Sequence, residues 1–392
     1  MEFRNLTPFS TLCYKMLDTQ NTEHHVVAMK VGFLLERTAG GAVIARIMED
    51  PVMSLCMQDE CSGLQVLQES DLSPFKPRSD VIVNGTACAP DGIPVAEIPV
   101  SLRLLTADRQ VLLDKQCLVT GERFFIRHPL TGQWSLSEPE PFISLPLHYQ
   151  YAFGGGECRI DKGSDAAEAV PEKYRLTPQQ QAEHPQPDNP PVAHTACPTN
   201  PSGMGFVERW YADATRQQRF PAPRIIDPRH PFTPDSFSRC LTGQADFSDA
   251  EFQPAGFGFM GQSWQPRLAK AGTYDQRWLD TRHPGLPKDF DFSYWNGAPE
   301  DQQIPYPAPG LRFELKGLHP QGVISGQIPA HQAVVLLRMV DGALVPQWMV
   351  PDTLILDTEK MTLAVTWRYR ISTSAPLRVI EARYITENSQ EG

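Results

Sequence analysis

Five aspartates gather in one stretch of the chain: Asp275, Asp280, Asp289, Asp291 and Asp301. Two carboxylates held several ångströms apart can act as acid and base on a glycosidic bond, so hydrolysis of carbohydrate or peptidoglycan is one chemistry this set admits. Aspartates in proline- and aromatic-rich loops also cap helices and accept backbone N–H groups in turns. On that reading Asp275 caps a short helix over Asp275–Arg282, while Asp289 and Asp291 pin the loop around Phe290. The stretch also carries Trp264, Tyr274, Trp278, Phe290, Phe292, Tyr294 and Trp295. Those rings can stack on sugars, anchor a protein interface, or form a small core that orders the segment. Arg267, Arg277 and Arg282 can bridge aspartates or lie over rings in each case. The candidate partner-contacting residues are Trp264, Arg267, Tyr274, Asp275, Trp278, Asp289, Phe290, Asp291 and Trp295; no residue is assigned as catalytic.

Elsewhere the chemistry is sparse. The chain has no Gly-x-Ser-x-Gly elbow and no His-Glu-x-x-His helix. His24 and His25 open a strand, where neighbours point to opposite faces, so they chelate poorly. Eight cysteines are scattered without a Cys-x-x-Cys pair and read as reduced, mostly buried thiols. No metal or cofactor is expected. Gly154-Gly-Gly156 lacks the Lys-Ser/Thr ending of a phosphate loop and reads as a turn after a strand over Tyr149–Phe153. A net charge of −11 argues against a nucleic-acid partner. The start of the chain shows no apolar leader, and no run approaches the roughly 20 residues of a membrane span, so the expected location is cytoplasmic.

The elements that must position these residues are mostly strands. His25–Glu36 and Ala42–Ile47 read as a hairpin around Gly40-Gly41. Asp80–Asn84, Val95–Leu105, Gln110–Val119 and Arg123–Arg127 follow, with a turn tip at Asp108-Arg-Gln. More than half of the 37 prolines lie between Pro171 and Pro309. Long regular elements are therefore not expected there, beyond short helices at Pro178–His184 and Asp275–Arg282, and Gln179–Pro191 reads as a mobile loop. Strands resume at Leu311–Leu315, Ala333–Arg338, Asp352–Asp357, Leu363–Tyr369 and Leu377–Tyr384, with Thr358–Met361 as a hairpin link. The expected fold is mostly β, with antiparallel sandwich- or barrel-like lobes, an irregular proline- and aromatic-rich middle and a few short helices. Its regions are an N-terminal lobe at 1–155, the middle at 156–310 and a C-terminal lobe at 311–392.

Several ordered motifs carry a family resemblance. They are Asp80-Val-Ile-Val-Asn-Gly-Thr-Ala-Cys-Ala-Pro90, Gly121-Glu-Arg-Phe-Phe125, Pro141-Phe-Ile-Ser-Leu-Pro-Leu147, Tyr151-Ala-Phe-Gly-Gly155, Asn200-Pro-Ser-Gly-Met-Gly-Phe206 and the block Ala255–Gln302. With them the chain resembles the bacterial domain of unknown function 2169, found beside spike-tip genes of type VI secretion clusters. The resemblance implies a non-enzymatic adaptor or chaperone that loads a toxic effector onto the secretion spike. The implied partners are a PAAR-like tip protein and the VgrG spike protein. The family supplies no catalytic residues to carry over. A hydrolase using the aspartate cluster, or a spike component or cargo, are the other readings.

Overall fold

Runs of valine, isoleucine and leucine bounded by glycine, proline and aspartate make strands, and the chain is mostly β with a few short helices. The computed structural model describes residues 1–38, 41–48, 53–159 and 193–386. The helix expected at Pro178–His184 and the loop at Gln179–Pro191 lie outside these residues. The first strands are β1 (Glu2–Asn5), β2 (Ser10–Leu17), β3 (Glu23–Arg37), β4 (Val43–Ile47) and β5 (Ser79–Asn84). A hairpin follows, β6 (Glu97–Leu105) and β7 (Val111–Thr120). Three helices are α1 (Arg209–Thr215), α2 (Pro234–Thr242) and α3 (Gln276–Thr281). The closing strands are β8 (Arg312–Lys316), β9 (Ile324–Gln327), β10 (Gln332–Met339), β11 (Leu344–Trp348), β12 (Val350–Asp357), β13 (Thr362–Ser372) and β14 (Leu377–Ile385).

The chain divides into two compact units. One comprises residues 1–91, 100–115 and 257–392; the other comprises 92–99 and 116–256. They cut across the three consecutive regions expected from composition, because strand pairing joins the two ends of the chain. In the first unit a large sheet runs β6-β8-β9-β4-β3-β13-β12-β5. The long β3 is its centre. One edge of β3 pairs along its length with β13, Phe33 lying opposite Leu363. The other edge is shared, residues 23–30 by β2 and 33–37 by β4. Val26, Val27, Ala28, Met29 and Val31 are wholly buried, as a central strand covered on both faces requires. The expected hairpins at β3–β4 and β12–β13 both form. Pairing is mainly antiparallel, but β12 runs parallel to β5 and β9 parallel to β4.

Charges are sealed inside this unit in pairs, since an ion taken from water needs a partner of opposite sign. Lys30 meets Asp71 at 2.9 Å, Lys76 meets Asp80 at 2.8 Å, and Arg368 meets Asp352 at 2.5 Å. Asp80 also accepts from the Asn296 side chain and from the Gly297 and Ala298 N–H groups, which fixes the end of the irregular block against β5.

The second unit is organised by phenylalanines. Phe125, Phe153, Phe206, Phe220, Phe232, Phe237 and Phe252 form one buried cluster with Cys197 and Cys240. Phe125 stacks on Phe237 of α2 with ring centroids 4.4 Å apart. The α1 and α2 helices were not among those expected from the sequence. The start of α2 is fixed by Thr233, whose side chain accepts from the Ser236 N–H while Ser236 returns a bond to the Thr233 N–H, with Pro234 at the first turn. Tyr149–Phe153 is not the continuous strand expected: Tyr149–Tyr151 is a 3-10 turn, Ala152 makes a single bridge to Ile225, and Phe153–Gly154 pairs with Met204–Gly205. The cause is Asn200, whose side-chain amide donates to the Tyr149 carbonyl at 2.8 Å and the Phe153 carbonyl at 2.9 Å. Gly154 has a φ of +143°, and a Cβ there would lie 2.1 Å from the Asn200 oxygen, so glycine is required.

Candidate functional site

Most of the residues singled out between 264 and 295 build the segment itself. Arg267 is 5% exposed. Its guanidinium grips both Glu69 oxygens, donates to the Met260 carbonyl at 2.6 Å and the Tyr294 carbonyl at 2.8 Å, and lies 5.5 Å from the Tyr294 ring centroid. Although burial works against its charge, the neighbouring Glu69 carboxylate raises its pKa. Phe290 is buried with Phe292, Tyr294 and Trp295 around it, centroids 5.4, 5.7 and 6.4 Å away. Trp264 is buried too. Tyr274 is exposed and meets the half-buried Trp278 edge to face at 4.7 Å, while the Trp278 indole donates to the Gly285 carbonyl at 2.8 Å.

The aspartates take up local donors. Asp275 accepts from the Trp278 N–H at 2.8 Å and caps α3. Asp289 accepts from the Thr273 N–H at 3.1 Å and hydroxyl at 2.7 Å; those bonds lower its pKa, the hydroxyl most. Asp291 accepts from the Ser293 N–H at 2.8 Å and caps the 3-10 turn Phe292–Trp295. Asp280 accepts from Gln276, and Asp301 pairs with Lys115 at 2.8 Å. A glycosidase needs one carboxyl kept protonated and its companion free for sugar or water. None of these five carboxylates is left without a donor, and the Asp289 shift is opposite to that of a general acid. The thiol of Cys56 is likewise unsuited to attack, because burial and the Glu60 carboxylate it bonds at 3.0 Å push its pKa up to about 12.

A different surface stands open. In the first unit β1, β14, β10 and β11 form a four-stranded sheet in that order. Residues paired across strands share a face, so the register gives its rows. One row is Glu2, Val379, Arg338 and Leu344; the next is Arg4, Glu381, Leu336 and Pro346; a third joins Arg383, Val334 and Trp348. Side chains on the other face, including Val335, Leu337, Ile380 and Ala382, are buried, and on the first face Val379, Val334 and Glu381 are buried beneath their longer neighbours. On the open face Leu344 is 55% exposed and Trp348 61%, with Pro346 exposed between them. Trp348 also stands at a groove of about 430 Å³ whose other walls include Tyr306, Pro307, Pro309, Ile328 and Trp367. The exposed row was not legible as a strand, because Pro346 interrupts Leu344-Val-Pro-Gln-Trp348. The signal was there in the alternation of large apolar residues at 344, 346 and 348.

Among the described residues no helix is long and apolar enough to cross a membrane. The chain matches, over residues 20–368, a family model described as "Uncharacterized protein conserved in bacteria (DUF2169)". No curated protein matches it. Among solved structures, one titled "Crystal structure of tetra-tandem repeat in extending region of large adhesion protein" aligns at 6% identity, over 97% of this chain and 100% of its own. The TM-score is 0.08, at which no shared fold follows.

Proposed function

The chain belongs to the DUF2169 family, and on that premise we propose that it is a non-enzymatic adaptor or chaperone for a type VI secretion effector. Its client is a PAAR-like tip protein, which it helps load on the VgrG spike. The observation that carries this reading is the open sheet face with Leu344, Pro346 and Trp348 exposed at alternate positions along β11 beside an apolar groove. Large apolar side chains presented together mark surfaces that cover another protein. An adaptor needs no chemistry, only apolar area that shields the client and later releases it. The local commitments of the five aspartates support the same side of the question. Co-expression with the neighbouring PAAR-like effector, followed by pulldown and size-exclusion chromatography, tests the proposal. A stable complex with a more soluble effector is expected. No complex and no change in effector solubility would defeat it.

A further inference from the structure

The open sheet face is apolar on one side and basic on the other. On β10 and β11 lie Leu336, Leu344, Pro346 and Trp348, with Val334 buried among them; Arg338 stands on β10 opposite Leu344, and Arg383 on β14 and Arg4 on β1 join it around Glu381. Glu381 is 2% exposed and accepts from Arg338 Nε at 2.6 Å and Arg383 Nη2 at 2.9 Å, with Arg4 at 3.8 Å. Arg4 also pairs with Glu2. Three arginines thus meet two carboxylates, an excess of one positive charge on a chain whose net charge is −11. The buried carboxylate aligns Arg338 and Arg383 without exhausting them. Each gives it one nitrogen, both side chains are partly exposed, and their other N–H groups make no further hydrogen bond among the described residues. Such a fork is suited to a second carboxylate.

The apolar and basic halves are set by strand spacing. Arg338 stands one strand from β11, about 5 Å, and Arg383 two strands away, about 10 Å. Along one side of an extended segment, residues two apart are separated by about 7 Å and residues four apart by about 13 Å. Both fit, given the reach of arginine. Residues an odd number apart point to opposite sides. Pro346 lacks an N–H, and proline on an edge strand discourages addition of another strand. The occupant therefore lies across the face. A second copy of the chain is disfavoured by repulsion between two bodies of charge −11.

We propose that this face binds an extended peptide segment of the client in which an Asp or Glu stands two or four residues from large apolar side chains. The carboxylate sits on Arg338 and Arg383, and the apolar groups sit on Leu336, Leu344 and Trp348. This rests on the adaptor reading and names the kind of segment the adaptor holds. The probe is the heptapeptide Ser-Asp-Thr-Leu-Thr-Trp-Ser carrying a neutral dye, followed by fluorescence anisotropy on the full chain. Its controls carry Asn in place of Asp, Lys in place of Asp, or the Asp moved by one position. The Asp peptide should bind at least fivefold tighter than all three, and salt should weaken it selectively. Arg338→Gln with Arg383→Gln should erase the Asp-to-Asn difference and leave the Asn peptide unchanged, while Arg338→Lys with Arg383→Lys should restore part of it.

Equal binding of Asp and Asn peptides to the wild type overturns the proposal whether or not the variants fold. So does tighter binding of the Lys peptide, or a wild-type dimer that Trp348→Ser dissolves. An effector complex that persists with no peptide preference removes this segment but keeps the adaptor. The preference without any effector complex supports the site and removes the adaptor reading.

Discussion

Arg267 is where an interface role and a structural role predict opposite results. Arg267→Met keeps the length of the stem and deletes the guanidinium. It removes both bonds to Glu69 and those to the Met260 and Tyr294 carbonyls. The larger consequence falls on Glu69, which is 7% exposed and would stay buried without its countercharge. Removing one member of a buried ion pair costs about 3–5 kcal/mol, a large part of the ~5–15 kcal/mol that holds a domain together. With a urea slope of about 2 kcal/mol/M, the midpoint should fall by roughly 1.5–2.5 M. Glu69→Gln added to Arg267→Met discharges the stranded carboxylate and should recover about 1–3 kcal/mol. Unfolding should be followed by tryptophan fluorescence and by near-ultraviolet circular dichroism, to check that both report one transition. A midpoint shift below about 0.5 M, or a double variant no better than the single, would refute the assignment of Arg267 to the core of the block. An unchanged midpoint with weakened effector binding would return Arg267 to the interface.

Asp289→Asn combined with Asp291→Asn should lower stability only slightly, since each aspartate is an exposed cap or turn acceptor whose amide replacement can still accept a hydrogen bond. Effector delivery in a secretion assay should persist; abolished delivery with normal folding and client binding would count against a pure adaptor. The Glu381 carboxyl is held down to about 2 by hydrogen bonds from Arg338 and then Arg383. An unfolded glutamate titrates near about 4.3, so this stabilisation is complete above that value and is lost as pH falls toward 2. Arg338→Gln should raise the Glu381 titration seen by carboxyl NMR and flatten the acid limb of the stability profile. An ordinary titration in the wild type would contradict the bonding around Glu381.

The strands were legible because burial on a pleated surface selects Val, Ile and Leu in short runs, as in β3, β5 and β13. The cap at Asp275 and the turn bonds at Asp289 and Asp291 were legible because short-side-chain acceptors act on N–H groups a few residues away. Pairing between distant strands was not. Nothing local in Phe33 announces that it lies opposite Leu363, and so the discontinuous first unit could not be read from composition. Proline density drew attention away from α2, whose start lies in Thr233-Pro-Asp-Ser236. Buried charges were hidden for another reason. Lys30, Glu69, Asp71 and Lys76 look solvent-facing until tertiary contact supplies their partners. The open face escaped because Leu344-Val-Pro-Gln-Trp348 contains a proline, which an edge strand tolerates and an internal strand does not.

Light scattering coupled to size-exclusion chromatography, on the chain mixed with its PAAR-like effector, tests the central claim most directly when wild type is compared with Leu344→Ser plus Trp348→Ser. Both side chains are more than half exposed, so the double variant should keep its unfolding free energy within about 0.5–1 kcal/mol of wild type. A wild-type complex that the folded variant no longer forms is the result the adaptor account predicts. A complex formed equally well by both would contradict the assignment of this face, and no complex with either would contradict the adaptor account itself.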